Sequence, residues 1–253
     1  MSVEEQSKNI EESGQEESGK PRRGIYLLPN LFTTGALFSG FYAVVAGMNQ
    51  QFEVAAIAIF VAMVLDGLDG RIARMTNTSS AFGAEYDSLS DMVSFGVAPA
   101  LVTFSWVLGD LGKLGWFAAF IYVAGAALRL ARFNTQLGFA DKRYFVGLPS
   151  PAAAAAVGGL VWSATAHDID PAPYAYLIAA FVSAAGILMV SNVLYYSFKD
   201  IDLKGKVPFI ILACIVLVVG IISIEPSFFL SLLFFVYAAT GPLYWVWRKW
   251  RKA

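Results

Sequence analysis

Four aspartates recur at spacings that helices would turn to one side: Asp66 and Asp69 are three apart, and Asp87 and Asp91 four apart. On helices each pair stacks on a single face, so two facing helices present four carboxylates to one point. The flanking segments are among the most apolar in the chain, and an ionised side chain at bilayer depth costs about 2.5 to 3.5 kcal/mol even on lenient insertion scales. Carboxylates kept at that cost need a chemical use. Hard oxygen ligands that converge in this way suit Mg²⁺ or Mn²⁺, and a metal cancels the repulsion that bare carboxylates suffer.

The residues between the pairs sharpen the reading. Asp66, Asp69, Gly70, Ala73, Arg74, Gly83, Asp87 and Asp91 fill the pattern D-x2-D-G-x2-A-R-x8-G-x3-D-x3-D without departure. The chain thereby resembles the CDP-alcohol phosphotransferases. The run from Phe82 to Pro99 is similar to the bacterial membrane-embedded phosphatidylserine synthases, whereas phosphatidylglycerophosphate synthases usually read D-P-x2-D-K there. Leu28 to Thr33, Arg129 to Asn134 and Gly147 to Pro151 resemble the same subfamily, so the likeness spans residues 22 to 155.

The resemblance implies transfer of a phosphatidyl group from CDP-diacylglycerol to the hydroxyl of L-serine, with CMP released. It implies that Asp66, Asp69 and Asp87 bind metal, that Asp91 binds metal and acts as base, and that Gly70, Ala73, Arg74 and Gly83 line the nucleotide and its diphosphate. Two ions of Mg²⁺ or Mn²⁺ are the expected complement, and a homodimer the expected assembly. The side chains suit these roles: small residues at 70, 73 and 83 let ligand approach the backbone, and Arg74 can grip a diphosphate with its planar fork.

The elements that must hold this motif are membrane helices. The chain has 253 residues, 57% of them hydrophobic and 15% charged, with mean hydropathy +0.60, which is too apolar for an ordinary soluble domain. Spans of about 20 residues, the length that crosses the hydrocarbon, are expected near 27–48, 52–73, 86–109, 115–136, 149–166, 173–195, 207–224 and 228–247. The fold class is therefore all-α, a polytopic bundle of about eight transmembrane helices over residues 25–247. An acidic, disordered tail is expected at 1–24, with no signal peptide, and a basic tail at 248–253.

Lysine and arginine placement orients the bundle. Pro21-Arg22-Arg23, Arg71, Arg74, Arg132, Lys142, Arg143, Lys199, Lys204, Lys206 and the basic tail fall on one side, and Lys113 alone on the other. By the positive-inside rule both termini and the acidic motif face the cytoplasm, in the inner membrane of a bacterium if the resemblance extends to location. The motif is then within reach of inner-leaflet lipid, soluble nucleotide and amino acid. Tyr26, Trp116, Tyr195, Tyr196, Trp245 and Trp247 are read as interfacial anchors.

Other positions stay open between two readings. Arg129 and Arg132 share a helical face, with Asn134 following; they could hold the serine carboxylate or anchor the helix at the interface. Asn30 and Thr33 could bond nucleotide or phosphate, or Asn30 could cap its helix. Lys142 and Arg143 suit anionic headgroups, and the Ala- and Gly-rich run from Pro149 to Gly159 reads as a close-packing face without chemistry.

Several classes drop out. Cys214 is the only cysteine and His167 the only histidine, so disulfides within the chain, cysteine metal sites and Ser-His chemistry are excluded, and His167 reads as a solvated loop residue. No basic face interleaved with aromatics suggests nucleic acid. Two rivals remain: the same chemistry with glycerol phosphate or inositol phosphate as acceptor, and an ion-coupled transporter. The transporter reading expects repeated halves, and the acidic cluster occurs once.

Overall fold

A computed structural model describes residues 27–76, 78, 80–135, 144–197 and 209–251. The expectations for the acidic tail, Pro21-Arg22-Arg23, Tyr26, Lys142, Arg143, Lys199, Lys204, Lys206 and Lys252 lie outside the described residues.

Among the described residues the chain forms eight helices, one at each expected span: α1 (Leu27–Met48), α2 (Phe52–Thr76), α3 (Ala81–Trp106), α4 (Lys113–Thr135), α5 (Ser150–Ala166), α6 (Ala175–Val190), α7 (Phe209–Ile224) and α8 (Pro226–Trp250). The fold is an all-α bundle. Five helices, α1, α3, α4, α8 and α6 with its leading 3₁₀ turn, are long and apolar enough to cross a membrane. Of the others, α2 carries Asp66, Asp69, Arg71 and Arg74 in its last turns, and α5 and α7 have 17 and 16 residues.

Expected boundaries shift where local chemistry decides them. The stretch 74–85, expected to connect the second and third spans, is mostly helix: α2 runs on to Thr76, and α3 starts at Ala81 because the Ser80 hydroxyl accepts the Gly83 N–H at 3.0 Å and caps the new helix. Arg71, Arg74 and Gly83 therefore sit on helices, and Asp87 and Asp91 lie one turn deeper into α3 than expected. At the other end of the chain, α6 stops at Val190, short of the expected 195, where Ser191 turns extended.

The strand that follows was not foreseen. Leu194–Tyr196 (β2) pairs antiparallel with Tyr144–Val146 (β1), in the register Tyr144 with Tyr196, Phe145 with Tyr195 and Val146 with Leu194. Three residues are too few to show an alternating pattern in sequence. This pairing also corrects the anchor reading of Tyr195. Its ring is 1% exposed, covers Gly241 of α8 where a Cβ would overlap it, and donates its hydroxyl to the Ala238 carbonyl at 3.1 Å. Trp116, Tyr196, Trp245 and Trp247 are exposed, as interfacial anchors require.

Packing rests on small residues. From Ala152 to Gly159 every residue of α5 is buried, which makes α5 the central helix, touching α2, α3, α6 and α8. A Cβ on Gly125 of α4 would collide with the Gly186 carbonyl of α6, so only glycines permit that crossing. A Cβ on Gly40 of α1 would likewise strike Ser94 of α3, and the Ser94 hydroxyl instead donates to the Ala36 carbonyl at 3.0 Å. These crossings hold α1, α2, α3 and α4 around the acidic motif.

Within α3, Met92–Val97 winds as a π-helix directly after Asp91, and Pro99 follows. Proline offers no N–H to the carbonyl four residues back, at Phe95. The buried Tyr122 hydroxyl of α4 donates to that carbonyl at 3.1 Å. The helix is thus widened and tied to α4 one turn beyond the last aspartate, a position where π-bulges are frequently associated with function.

Candidate active site

The helical period brings the carboxylates together. Asp66 and Asp69 project from α2 toward Asp87 on α3, and one carboxylate oxygen from each of the three lies within 4.8 Å of the others. Asp91, one turn further along α3, interacts directly with Asp66 and electrostatically with Arg129 of α4. The four aspartates therefore form one acidic centre, with three arranged as a compact ligand set and the fourth toward Arg129.

Supporting bonds fix the set from behind. The Thr33 hydroxyl of α1 reaches Asp69 Oδ2 at 2.7 Å and the Pro29 carbonyl at 3.2 Å, and the shorter contact orients a carboxylate that is itself buried. Ser90 donates to the Thr33 carbonyl at 3.1 Å, which ties α3 to the same turn of α1. Thr34 and Tyr86 join hydroxyls at 2.9 Å. Asp87 Oδ1 is buried and has no hydrogen-bond partner among the described residues. Three hard oxygens in reach of one another, on carboxylates of which Asp87 also keeps a buried oxygen without a donor, fit a divalent cation.

Beside the acidic set, α2 opens outward. Nothing lies within 4 Å of where a Cβ on Gly67 would be, and at Gly70 such an atom would meet only the Arg74 Nη1, at 4.0 Å. Exposed Arg74 thus leans back over Gly70, and Ala73 lies between them, half-buried. On the facing side, a Cβ on Gly83 would come 3.4 Å from Asn30 Oδ1, so Asn30 and Gly83 are in contact. Asn30 lies inside the first turns of α1, which removes the capping alternative. Small residues and the exposed Arg74 guanidinium beside a carboxylate cluster leave open space that a diphosphate can enter.

The two arginines of α4 differ in what they touch. Arg132 donates to the carbonyls of Val146 at 2.7 Å and Val190 at 3.0 Å, and approaches the Ser191 carbonyl and Asn192 Oδ1 at 3.4 Å. It holds the end of the α4–α5 connection, just before α5, against the end of α6. Arg129, pointing into the bundle, donates from Nη1 to Ser150 Oγ at 2.7 Å, and its buried Nε has no partner among the described residues. Asn134 exchanges hydrogen bonds with Ser88 of α3 at 3.1 and 3.2 Å.

Ser150 escaped the sequence reading, which placed it in the Gly147 to Pro151 resemblance and in a close-packing run but gave it no chemistry. Its burial is complete, and the one available sign was a hydroxyl between two prolines at the head of an otherwise alanine-rich helix. Two other features stand apart from the centre. His167 caps the far end of α5, half-exposed, with Nδ1 at 2.7 Å from the Ser163 carbonyl and Nε2 at 3.5 Å from Glu225. A cavity of about 390 Å³, lined by Trp106, Leu160, Ser163, Tyr174, Phe181 and Phe235 among others, lies about 20 Å along α5 from Ser150 at 1.5 Å per residue.

Comparison with known proteins agrees with this geometry. A protein of Helicobacter pylori strain J99 named CDP-diacylglycerol–serine O-phosphatidyltransferase is 37% identical over 226 residues, covering 89% of this chain and 94% of its own. A Mycobacterium tuberculosis protein of the same name is 37% identical over 185 residues, 69% of this chain and 64% of its own. One from Methanocaldococcus jannaschii is 37% identical over 142 residues, 56% of this chain and 63% of its own. The family model described as CDP-alcohol phosphatidyltransferase matches residues 26–240, which takes in the acidic centre and all the helices packed around it, and the chain belongs to that family.

Proposed function

We propose that this protein transfers the phosphatidyl group of CDP-diacylglycerol to L-serine, forming phosphatidylserine and CMP. The observation that carries the reading is the convergence of Asp66, Asp69 and Asp87 from two helices to within 4.8 Å, in a chain alike over 94% of the length of a relative bearing that enzyme name.

The residues divide the work as follows. Asp66, Asp69 and Asp87, with Asp91 beside them, hold Mg²⁺ or Mn²⁺, two ions in the full complement. A bound divalent ion neutralises charge on the diphosphate oxygens and so stabilises the leaving CMP. Arg74 grips the diphosphate above Gly70 and Ala73, while Gly83 and Asn30 form the opposite wall of that subsite and Thr33, buried with its hydroxyl on Asp69, orients that ligand instead of meeting the nucleotide. Asp91 accepts the proton of the serine hydroxyl at a carboxylate oxygen. The serine Oγ–P bond forms on the lipid-side phosphorus as the P–O bond to CMP breaks. Arg129 binds the serine carboxylate, with Arg132 and Asn134 framing that side of the site.

The site opens at the end of the bundle where Arg71, Arg74, Arg132 and the basic C-terminal residues gather. This charge bias supports a cytoplasmic active site and cytoplasmic termini in a bacterial inner membrane. The homodimer rests on the family resemblance alone and belongs to the same proposal.

The test is CMP release by purified protein from CDP-diacylglycerol with L-serine, compared with glycerol phosphate, inositol phosphate and other alcohols. Serine should be preferred by at least tenfold in kcat/KM. A higher rate with another acceptor would move the substrate assignment and leave the chemistry in place.

A further inference from the structure

We propose that Ser150 is a positioning residue for serine recognition: it aims the Arg129 guanidinium at the carboxylate of the incoming amino acid. The inference rests on the serine reading above and adds to it a residue that does not touch substrate.

Arg129 is a cation largely buried inside a membrane bundle. Such a group is stable only when its donors and its charge find partners. One partner is neutral: Ser150 Oγ, at 2.7 Å. Asp91 supplies nearby negative charge, yet Nε still has no acceptor among the described residues. A guanidinium with donors to spare, beside the residue that takes the serine proton, matches an α-amino acid, whose carboxylate lies two carbons from its hydroxyl. One substrate can then reach both groups.

Ser150 is well built to act as a strut. It is fully buried and opens α5, with Pro149 before it and Pro151 after. The turn leading into it is pinned from the other side. Gly147 adopts φ 82, its N–H donates to the Val193 carbonyl at 2.8 Å, and Arg132 holds the Val146 carbonyl. A Cβ at Gly147 would press on the Met189 carbonyl and lie 3.0 Å from Arg132 Nη2, so the turn is closely fitted as well as left-handed. Two arginines one helical turn apart thus have unlike tasks: Arg132 builds the turn that places Ser150, and Ser150 places Arg129.

The experiment compares serine kinetics in Ser150→Ala, Ser150→Cys and Ser150→Thr. Loss of the acceptor should raise the KM for L-serine roughly tenfold in Ser150→Ala, with the KM for CDP-diacylglycerol and kcat at saturating serine within about twofold. Ser150→Cys, close in size with a weaker acceptor, should fall between, and Ser150→Thr should recover most of the affinity. Serinol, which has the hydroxyl but no carboxylate, should be used equally well by wild type and Ser150→Ala. In an Arg129→Lys background, Ser150→Ala should add little further loss. Equal damage toward serine and serinol, or full additivity with Arg129→Lys, overturns the proposal. If Ser150→Ala fails to fold, an unchanged serine KM in Ser150→Cys overturns it. Failure of the wild type to use serine at all would instead refute the underlying substrate assignment.

Discussion

The Thr33 hydroxyl of α1 donates to Oδ2 of Asp69 on α2 at 2.7 Å, inside a bundle where Asp69 is only 5% exposed. With little water to turn toward, that carboxylate is oriented in part by this bond, beside the Gly70 N–H. Thr33→Val keeps the branched shape and deletes the donor, whereas Thr33→Ser keeps the donor. The divalent-ion concentration for half-maximal activity should rise about tenfold in Thr33→Val, the lower end of what losing a partner to a metal ligand costs, and stay near wild type in Thr33→Ser. Identical Mn²⁺ titrations for the two variants would show that the bond does not tune the cluster.

Metal dependence itself follows from the donor set. Hard carboxylates from two helices lose their reason to converge when no cation is present. Activity should disappear after chelation with EDTA and return with Mg²⁺ or Mn²⁺, and Asp87→Asn should demand more metal than wild type. Full turnover after exhaustive chelation would remove the ion from the reaction.

Asp91 is set apart from the other three by its approach to Arg129. Asp91→Asn retains the shape but cannot accept the serine proton, so turnover should fall by at least ~10²-fold, the scale of general-base loss. CDP-diacylglycerol binding, measured directly, should suffer far less. Near wild-type turnover would assign the base elsewhere.

What could be read from sequence, and what could not, separates along contact range. The pairing of Asp66 and Asp69 with Asp87 depends on the helical period and on two helices joined by a short turn, both local features. All-α architecture and the eight helix positions follow from hydropathy in the same way. Boundaries needed more: the cap at Ser80 shortened the α2–α3 connection, and only geometry revealed it. Tyr195 looked like an interfacial aromatic because it ends an apolar run, yet its partner Ala238 is 43 residues away. Arg129 and Arg132 are equivalent by spacing, and Ser150 and the Val146 and Val190 carbonyls, brought near by tertiary packing, tell them apart.

Orientation is open to direct labelling. Cys214 is first replaced, since it is the only native cysteine. A cysteine at position 168, beside His167 at the far end of α5, should then react with an impermeant reagent added outside. One at position 80, between α2 and α3, should react only after the cytoplasmic face is opened. The reverse pattern would invert the bundle and place the acidic centre on the outer side.

The two arginines of α4 should fail in different ways. Lysine at either position keeps a positive charge but loses the planar fork. At Arg129 the fork joins Ser150 and faces the reaction centre, so Arg129→Lys should raise the KM for L-serine roughly tenfold or more, the cost of a charge-assisted hydrogen bond, with the KM for CDP-diacylglycerol little changed. At Arg132 the fork spans the Val146 and Val190 carbonyls, so Arg132→Lys should cost about 1 kcal/mol of stability through the hydrogen bonds lost at this exposed turn. A lower melting temperature in detergent, with a serine KM that shifts less than in Arg129→Lys, is the expected signature. A serine-specific defect in Arg132→Lys without loss of stability would exchange the two roles, because a residue that only braces the turn cannot discriminate between substrates while leaving the fold intact.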